Sequence, residues 1–291
     1  MVVQRHGRKG GAVAVAVGSL VVGLLATGCS GIGAVADDRR AADGAVDDAA
    51  AAAAVHRAAD VLARSGSSRA RTSMETATGG TRVTIRGKGA FDYRERLGRL
   101  RVVLPKDAAG AEEHQPVTEL LGPGALYMKD RGAGVPADKW VRVDTTGLAD
   151  GNLVTGGATD PLSAAELLRG ARRVTYVGEE RAHGDGATVR HYRGTTDIAR
   201  AARSASPHAR GALAAAARGF SETAVPFDAY LDEQGRLRKV RHRFNFSNGS
   251  GSGTGTEVVS TTVLYAFGAV VDVELPEERD IYAGKIAVPQ A

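Results

Sequence analysis

Side chains that alternate with a period of two dominate this chain. Val83, Ile85, Phe91 and Tyr93 alternate with Arg82, Thr84, Arg86, Lys88 and Asp92, and Leu100, Val102 and Leu104 continue the pattern. Successive side chains of a strand point to opposite faces, so a run with one apolar and one charged parity belongs to an antiparallel sheet wetted on one side. Further strands are expected at residues 117–121, 125–129 and 139–144, and the Gly, Pro and Asp between the last two suit a hairpin loop. Two more, 173–179 and 187–195, meet across His183-Gly184-Asp185-Gly186. Val225, Phe227, Ala229 and Leu231 form another inward row, turned at Asp232-Glu233-Gln234-Gly235. Beyond that turn Val240, His242, Phe244 and Phe246 face one way and Lys239, Arg241, Arg243 and Asn245 the other. A Gly/Ser/Thr loop, 248–256, precedes a last strand carrying Val259, Thr261, Val263, Tyr265 and Phe267, and residues 271–281 read as an edge segment closing the domain.

Helical signals come in separate groups. Val55, Ala58, Ala59 and Leu62 fall at i, i+3, i+4 and i+7, the stripe of an amphipathic helix that Ser65-Gly66-Ser67 ends. Asp160-Pro161 places an N-cap and a proline at the first helical position, ahead of Leu162, Ala165 and Leu168. A second insert, 197–221, carries Ile198, Ala201 and Ala202, then Leu213, Ala216, Ala217 and Phe220. Roughly ten strands with helices inserted in groups define an α+β fold and exclude a doubly wound one. So many strands of uneven length predict a strongly curved antiparallel sheet, a half-barrel, with its helices packed on the concave face. The dry layer between them is either a filled core or a pocket of lipid size.

The N-terminus reads as an export signal. Arg5, His6, Arg8 and Lys9 precede a charge-free apolar run, 12–25, too short for a comfortable membrane span. It ends Leu25-Ala26-Thr27-Gly28-Cys29, and Cys29 is the one cysteine of the chain. This resembles the bacterial lipobox, which implies cleavage of residues 1–28 and diacylation of Cys29. Residues 29–54 are Ala, Gly and Asp with almost no large apolar side chain, and read as a lipidated flexible tether below a domain at 55–291. Without residues 1–28 the formal charge falls from +5 to +2, so nucleic-acid binding draws no support from composition.

Catalytic signatures are missing. The chain has no G-x-S-x-G elbow, S-x-x-K, P-loop or H-E-x-x-H motif. Its histidines lie at no metal-ligating short spacing, although His183 and His191 flank one turn. The acid pairs Glu112-Glu113 and Glu277-Glu278 read as solvation. No cofactor, no metal and no enzymatic activity are expected. The basic run Arg236, Arg238, Lys239, Arg241, Arg243 fits a solvated outer strand face, with contact to anionic headgroups as the functional alternative.

Several segments in order carry a family resemblance: the lipobox at Cys29, Gly124-Ala125-Leu126-Tyr127-Met128-Lys129 before Lys139-Trp140-Val141, Asp160-Pro161-Leu162, residues 187–197, and residues 225–232 followed by Gly235-Arg236-Leu237. Over about residues 55–276 the chain resembles the actinobacterial lipoproteins of the LppX/LprG type, relatives in fold of the lipoprotein carrier LolA. The resemblance implies a half-barrel that binds or carries a lipid or lipoglycan, and it brings no catalytic residues. Strand and helix parity put Val102, Leu104, Leu126, Met128, Leu162, Leu168, Leu213 and Phe220 on the cavity wall. Expected partners are that ligand and, through the acyl anchor, the extracytoplasmic face of the cell membrane. The competing reading is a non-enzymatic sensor or interaction lipoprotein with a closed core and an envelope protein as partner.

Overall fold

The computed structural model describes residues 33–78, 80–104, 116–129, 134–156, 159–182, 186–220, 222–246 and 256–284. The signal segment 1–28, Cys29, Glu112-Glu113 and His183 lie outside the described residues. Two compact units divide the chain, Met1–Ala41 and Ala42–Ala291, and the second is the subject below.

Eleven strands form one open antiparallel sheet: β1 (Ser67–Thr78), β2 (Thr81–Asp92), β3 (Leu97–Val103), β4 (Val117–Gly122), β5 (Ala125–Lys129), β6 (Trp140–Asp144), β7 (Ala171–Arg181), β8 (Thr188–Asp197), β9 (Ala224–Leu231), β10 (Leu237–Phe246) and β11 (Thr256–Tyr265). Their order across the sheet is β6-β5-β4-β3-β2-β1-β11-β10-β9-β8-β7. Among the described residues, strands consecutive in the chain pair with one another except β6 and β7, which form the two opposite edges, and β1 pairs with β11 at the centre. Four helices complete the fold: α1 (Gly33–Arg64), α2 (Pro161–Leu167), α3 (Ile198–Ser204) and α4 (Pro207–Gly219). The α+β class and the curved antiparallel sheet are as expected. Among the described residues no helix is long and apolar enough to cross a membrane.

All helices pack on one face of the sheet, the inner face. α1 buries Ala51, Val55, Ala58, Ala59 and Leu62 in one apolar cluster with Ala70, Leu100, Leu126, Val240 and Leu264 of the sheet. α3 and α4 bury Ile198, Ala201, Leu213 and Ala216 in a second cluster with Met74, Phe244 and Val258. Both sets of sheet residues have the same parity, so the clusters are two ends of one inner face. An ion-pair chain locks the helices together. Arg169 reaches Asp60 of α1 and Glu166 of α2, and Glu166 accepts from the Ser206 N–H at 3.0 Å and the Ser206 hydroxyl at 2.8 Å, at the start of α4.

The structure departs from the sequence reading at three places. The first helix begins at Gly33 and Ala51 is already buried, so the folded domain starts before residue 55 and the expected tether is shorter. Alanine has the highest helix propensity of any residue, and the six alanines at 49–54 extend the helix despite their small apolar area. Strand β1 was not expected at all, yet it lies at the centre of the sheet. Its inward residues are Ser68, Ala70, Thr72 and Met74, too small and polar to give an alternating signal. On β11 the inward parity is Val258, Ser260, Thr262 and Leu264, not Val259, Thr261, Val263 and Tyr265. The tail, by contrast, closes an edge as anticipated: Ile281 bridges Trp140 of the edge strand β6, and the Tyr282 N–H donates to the Trp140 carbonyl at 2.8 Å.

Candidate functional site

Between the two apolar clusters runs a buried polar seam. On three adjacent strands the order along the inner face is the same: Ala70, Thr72, Met74 on β1; Leu264, Thr262 and Ser260, Val258 on β11; Val240, His242, Phe244 on β10. Register sets Thr72 opposite Thr262 and Ser260 opposite His242. Thr159, entering from the loop before α2, donates to the Leu153 carbonyl at 2.8 Å and lies 2.6 Å from the Ser260 hydroxyl. Thr72 Oγ1, Thr262 Oγ1 and His242 Nε2 have no hydrogen-bond partner among the described residues. Burial among Phe227 and Phe244 pushes the His242 imidazole down to about 3, so it stays neutral.

Where the clusters meet at the rim of the sheet there is a cavity of about 70 Å³. Phe91, Leu121 and Leu162 of the first cluster and Ala209 of the second wall it, with Ala212 beside them. Arg96, Asp160 and His208 line the same space, and the last two are biased toward their uncharged forms. Burial pushes the Asp160 carboxyl up, against the hydrogen bonds it accepts, and pushes the His208 imidazole down. The hydroxyls nearby are already used in capping: Ser163 donates to Asp160 at 2.9 Å and Ser206 to Glu166. Ser206 Oγ, while donating to Glu166, also lies 3.2 Å from His208 Nε2. Asp160 caps α2 as its Asp-Pro signature predicts, accepting from the Leu162 and Ser163 N–H groups at 3.1 and 3.2 Å.

The predicted wall residues fall into both clusters. Val102, Leu126, Met128, Leu162 and Leu168 are buried in the first, with Leu104 packed against it, and Leu213 and Phe220 belong to the second. Of these, Leu162 lines the rim cavity, Leu104 is half-buried, and the other six are closed in packed core. The seam was not legible as a site, because Thr72 and Thr262 sit in segments whose inward parity the sequence hid.

On the outer face a second polar cluster surrounds Asp228, which is buried. It accepts from His191 Nε2 at 2.8 Å, Arg193 Nε at 2.9 Å and Arg243 Nη2 at 3.0 Å. Burial alone would raise this carboxyl, but the three donors together hold it below the ordinary range. His191 stacks on Tyr230 at 4.3 Å, and the Lys239 ammonium lies over the Tyr230 ring, 4.6 Å from its centroid. The basic run on β10 is thus divided: Arg243 serves Asp228, Arg236 is tied to Asp232 at 2.8 Å, and Arg238 is buried. Among the described residues no group of three or more His, Cys, Asp or Glu is arranged to hold a metal ion.

No family profile and no curated protein sequence matches the chain. Among solved structures it is similar to the lipoprotein LppX of Mycobacterium tuberculosis, with 13% identity and a TM-score of 0.45 over 78% of this chain and 100% of that one. It is similar also to LprF of Mycobacterium bovis, with 13% identity and a TM-score of 0.39 over 78% and 96%. A LolA superfamily protein of Nitrosomonas europaea follows, with 12% identity and a TM-score of 0.32 over 79% and 96%. At such identities the likeness concerns the run of sheet and helices, and the ligand must be argued from this chain's own residues.

Proposed function

We propose that this chain is an exported, membrane-anchored and non-catalytic lipoprotein that takes the acyl chains of a lipid or lipoglycan between its sheet and its helices. The carrying observation is the rim cavity, which opens to solvent where the two apolar clusters meet and is walled by both. Its volume is far below the roughly 300–1,000 Å³ of ordinary ligand pockets. Loading therefore requires the helix layer to part from the sheet. The composition of that layer supports such a movement: Ala51, Ala58, Ala59, Ala201, Ala202, Ala209 and Ala216 are buried in it with single methyl groups. At about 25 cal/mol per Å² of apolar surface, an incoming acyl chain offsets the contacts such small side chains give up. The uncharged bias of Asp160 and His208 leaves the exposed Arg96 guanidinium as the cation beside the path.

The closed packing of six of the eight wall residues favours the second reading, a sensor or interaction lipoprotein with an envelope protein as partner. One experiment separates the two. The full chain is purified from its membrane, and native mass spectrometry with organic extraction reports what stays bound. The carrier reading expects stoichiometric lipid in the native chain and its loss in Ala212→Trp, which fills the rim cavity while leaving the unfolding midpoint in place. A native chain that stays empty and refuses added phospholipid selects the sensor reading.

A further inference from the structure

We infer that the outer face of β1–β3 is a docking surface for an anionic phospholipid bilayer. Outward parity and register place Arg71, Lys88 and Arg101 in one row across three adjacent strands, and Arg69 and Arg99 in the next row, two strands apart. Adjacent strands lie about 4.8 Å apart, and like charges directly opposite each other destabilise a sheet. The same face solves that problem elsewhere: at β8–β10, Arg193 and Arg243 share Asp228. On β1–β3 no acid enters the two rows, and none of the five basic residues has an ion-pair partner among the described residues. All five are exposed. The C-terminal segment borders them, fixed at one end where the Gly268 N–H donates to the Ser67 carbonyl at 3.0 Å and at the other by the Ile281 bridge to Trp140. Between this segment and the strands lies a groove of about 570 Å³, which combines Arg69, Lys88, Arg99 and Arg101 with Val103, Val271 and Val273. Val270, at 95% exposure, and Val103, at 49%, stand at its edge as bare aliphatic side chains.

Unmatched cations beside exposed aliphatic groups are complementary to phosphodiester headgroups over hydrocarbon. Asp272 on the groove and Glu274 further along the segment are the opposing charges, too few to neutralise the rows. Each basic residue near an anionic surface strengthens binding roughly fivefold, or about 1 kcal/mol, and the attraction weakens as salt shortens the Debye length. The surface differs from the rim cavity, so the docking stands or falls apart from the lipid-carrier reading.

The test uses the full chain with Val270→Cys carrying an environment-sensitive fluorophore, reconstituted into vesicles of phosphatidylcholine with or without phosphatidylglycerol. Labelling of the chain without the new cysteine reports first whether Cys29 is capped by lipid, which tests the anchor separately. Docking predicts a blue shift and gain in emission only with phosphatidylglycerol, reversed by high salt. Arg99→Glu with Arg101→Glu, both exposed and remote from the core, should abolish the shift at unchanged circular dichroism and thermal midpoint. The same emission in both vesicle types, or a shift that survives the double charge reversal, overturns the inference, as would capture of an acidic protein by this face without any response to vesicles.

Discussion

Single residues of the seam and of the strand interiors set the limits on what the inner face tolerates. His242 is buried and neutral, its pKa held near 3 against about 6.5 when exposed. Because the folded value is the lower one, the unfolded chain takes up the proton first. Stability from this group is complete above pH 6.5, falls as pH drops through that value, and levels only near pH 3, at about 1.4 kcal/mol per pH unit in between. His242→Leu should flatten that limb of the urea-midpoint profile between pH 6.5 and pH 4; an unchanged slope would assign the acid sensitivity to other groups. Gly98 shows the steric limit. A Cβ there would overlap the ring of Phe91, which lies across the glycine and walls the rim cavity. Gly98→Ala is expected to lower stability by about 1–3 kcal/mol through displacement of that ring, read as a shifted midpoint at constant m.

The helices are joined to one another by few polar links, and the one at Arg169 matters most. Its guanidinium spans Asp60 on α1 and Glu166 on α2, while Glu166, buried, also holds the start of α4. Arg169→Ala leaves Glu166 enclosed without its cation, which should cost about 3 kcal/mol, and Arg169→Lys should recover little, since one ammonium cannot serve both carboxylates as the planar fork does. Differential scanning calorimetry of the two variants decides this, with full rescue by lysine as the contrary result. Elements of this kind were legible to differing degrees in the sequence. Asp160-Pro161 announced its helix because capping is local chemistry, and β9 announced itself because its inner parity, Val225, Phe227, Ala229 and Leu231, is apolar throughout. Strand β1 did not, since its place is fixed by pairing with β2 and β11, and its inward Ser68 and Thr72 are matched to neighbours rather than to a period. Gly87, opposite Thr72, leaves the space that the Thr72 hydroxyl occupies, a complementarity across strands that no single run of residues displays.

At the scale of the molecule, a sheet of eleven strands is covered on one face by helices that contribute mainly alanine. The sheet is cross-linked by continuous ladders, whereas α3 and α4 hold on through a narrow apolar stripe and the Glu166 contact at Ser206. Local opening draws on the elements with the least buried apolar surface, so the helix layer should open below the free energy of global unfolding. Native-state hydrogen exchange should then show amides of α3 and α4 exchanging through a sub-global opening, while β1, β10 and β11 exchange only with global unfolding. If loading works by parting that layer, bound lipid closes it: at a ligand concentration a hundredfold above Kd, mass action raises protection by about 2.7 kcal/mol, and the increase should fall on α3 and α4 before the sheet. Equal exchange free energies in helices and sheet without lipid would mean that the layer does not open separately. The acyl chains would then have no way in, and the closed core would be the working state of the protein.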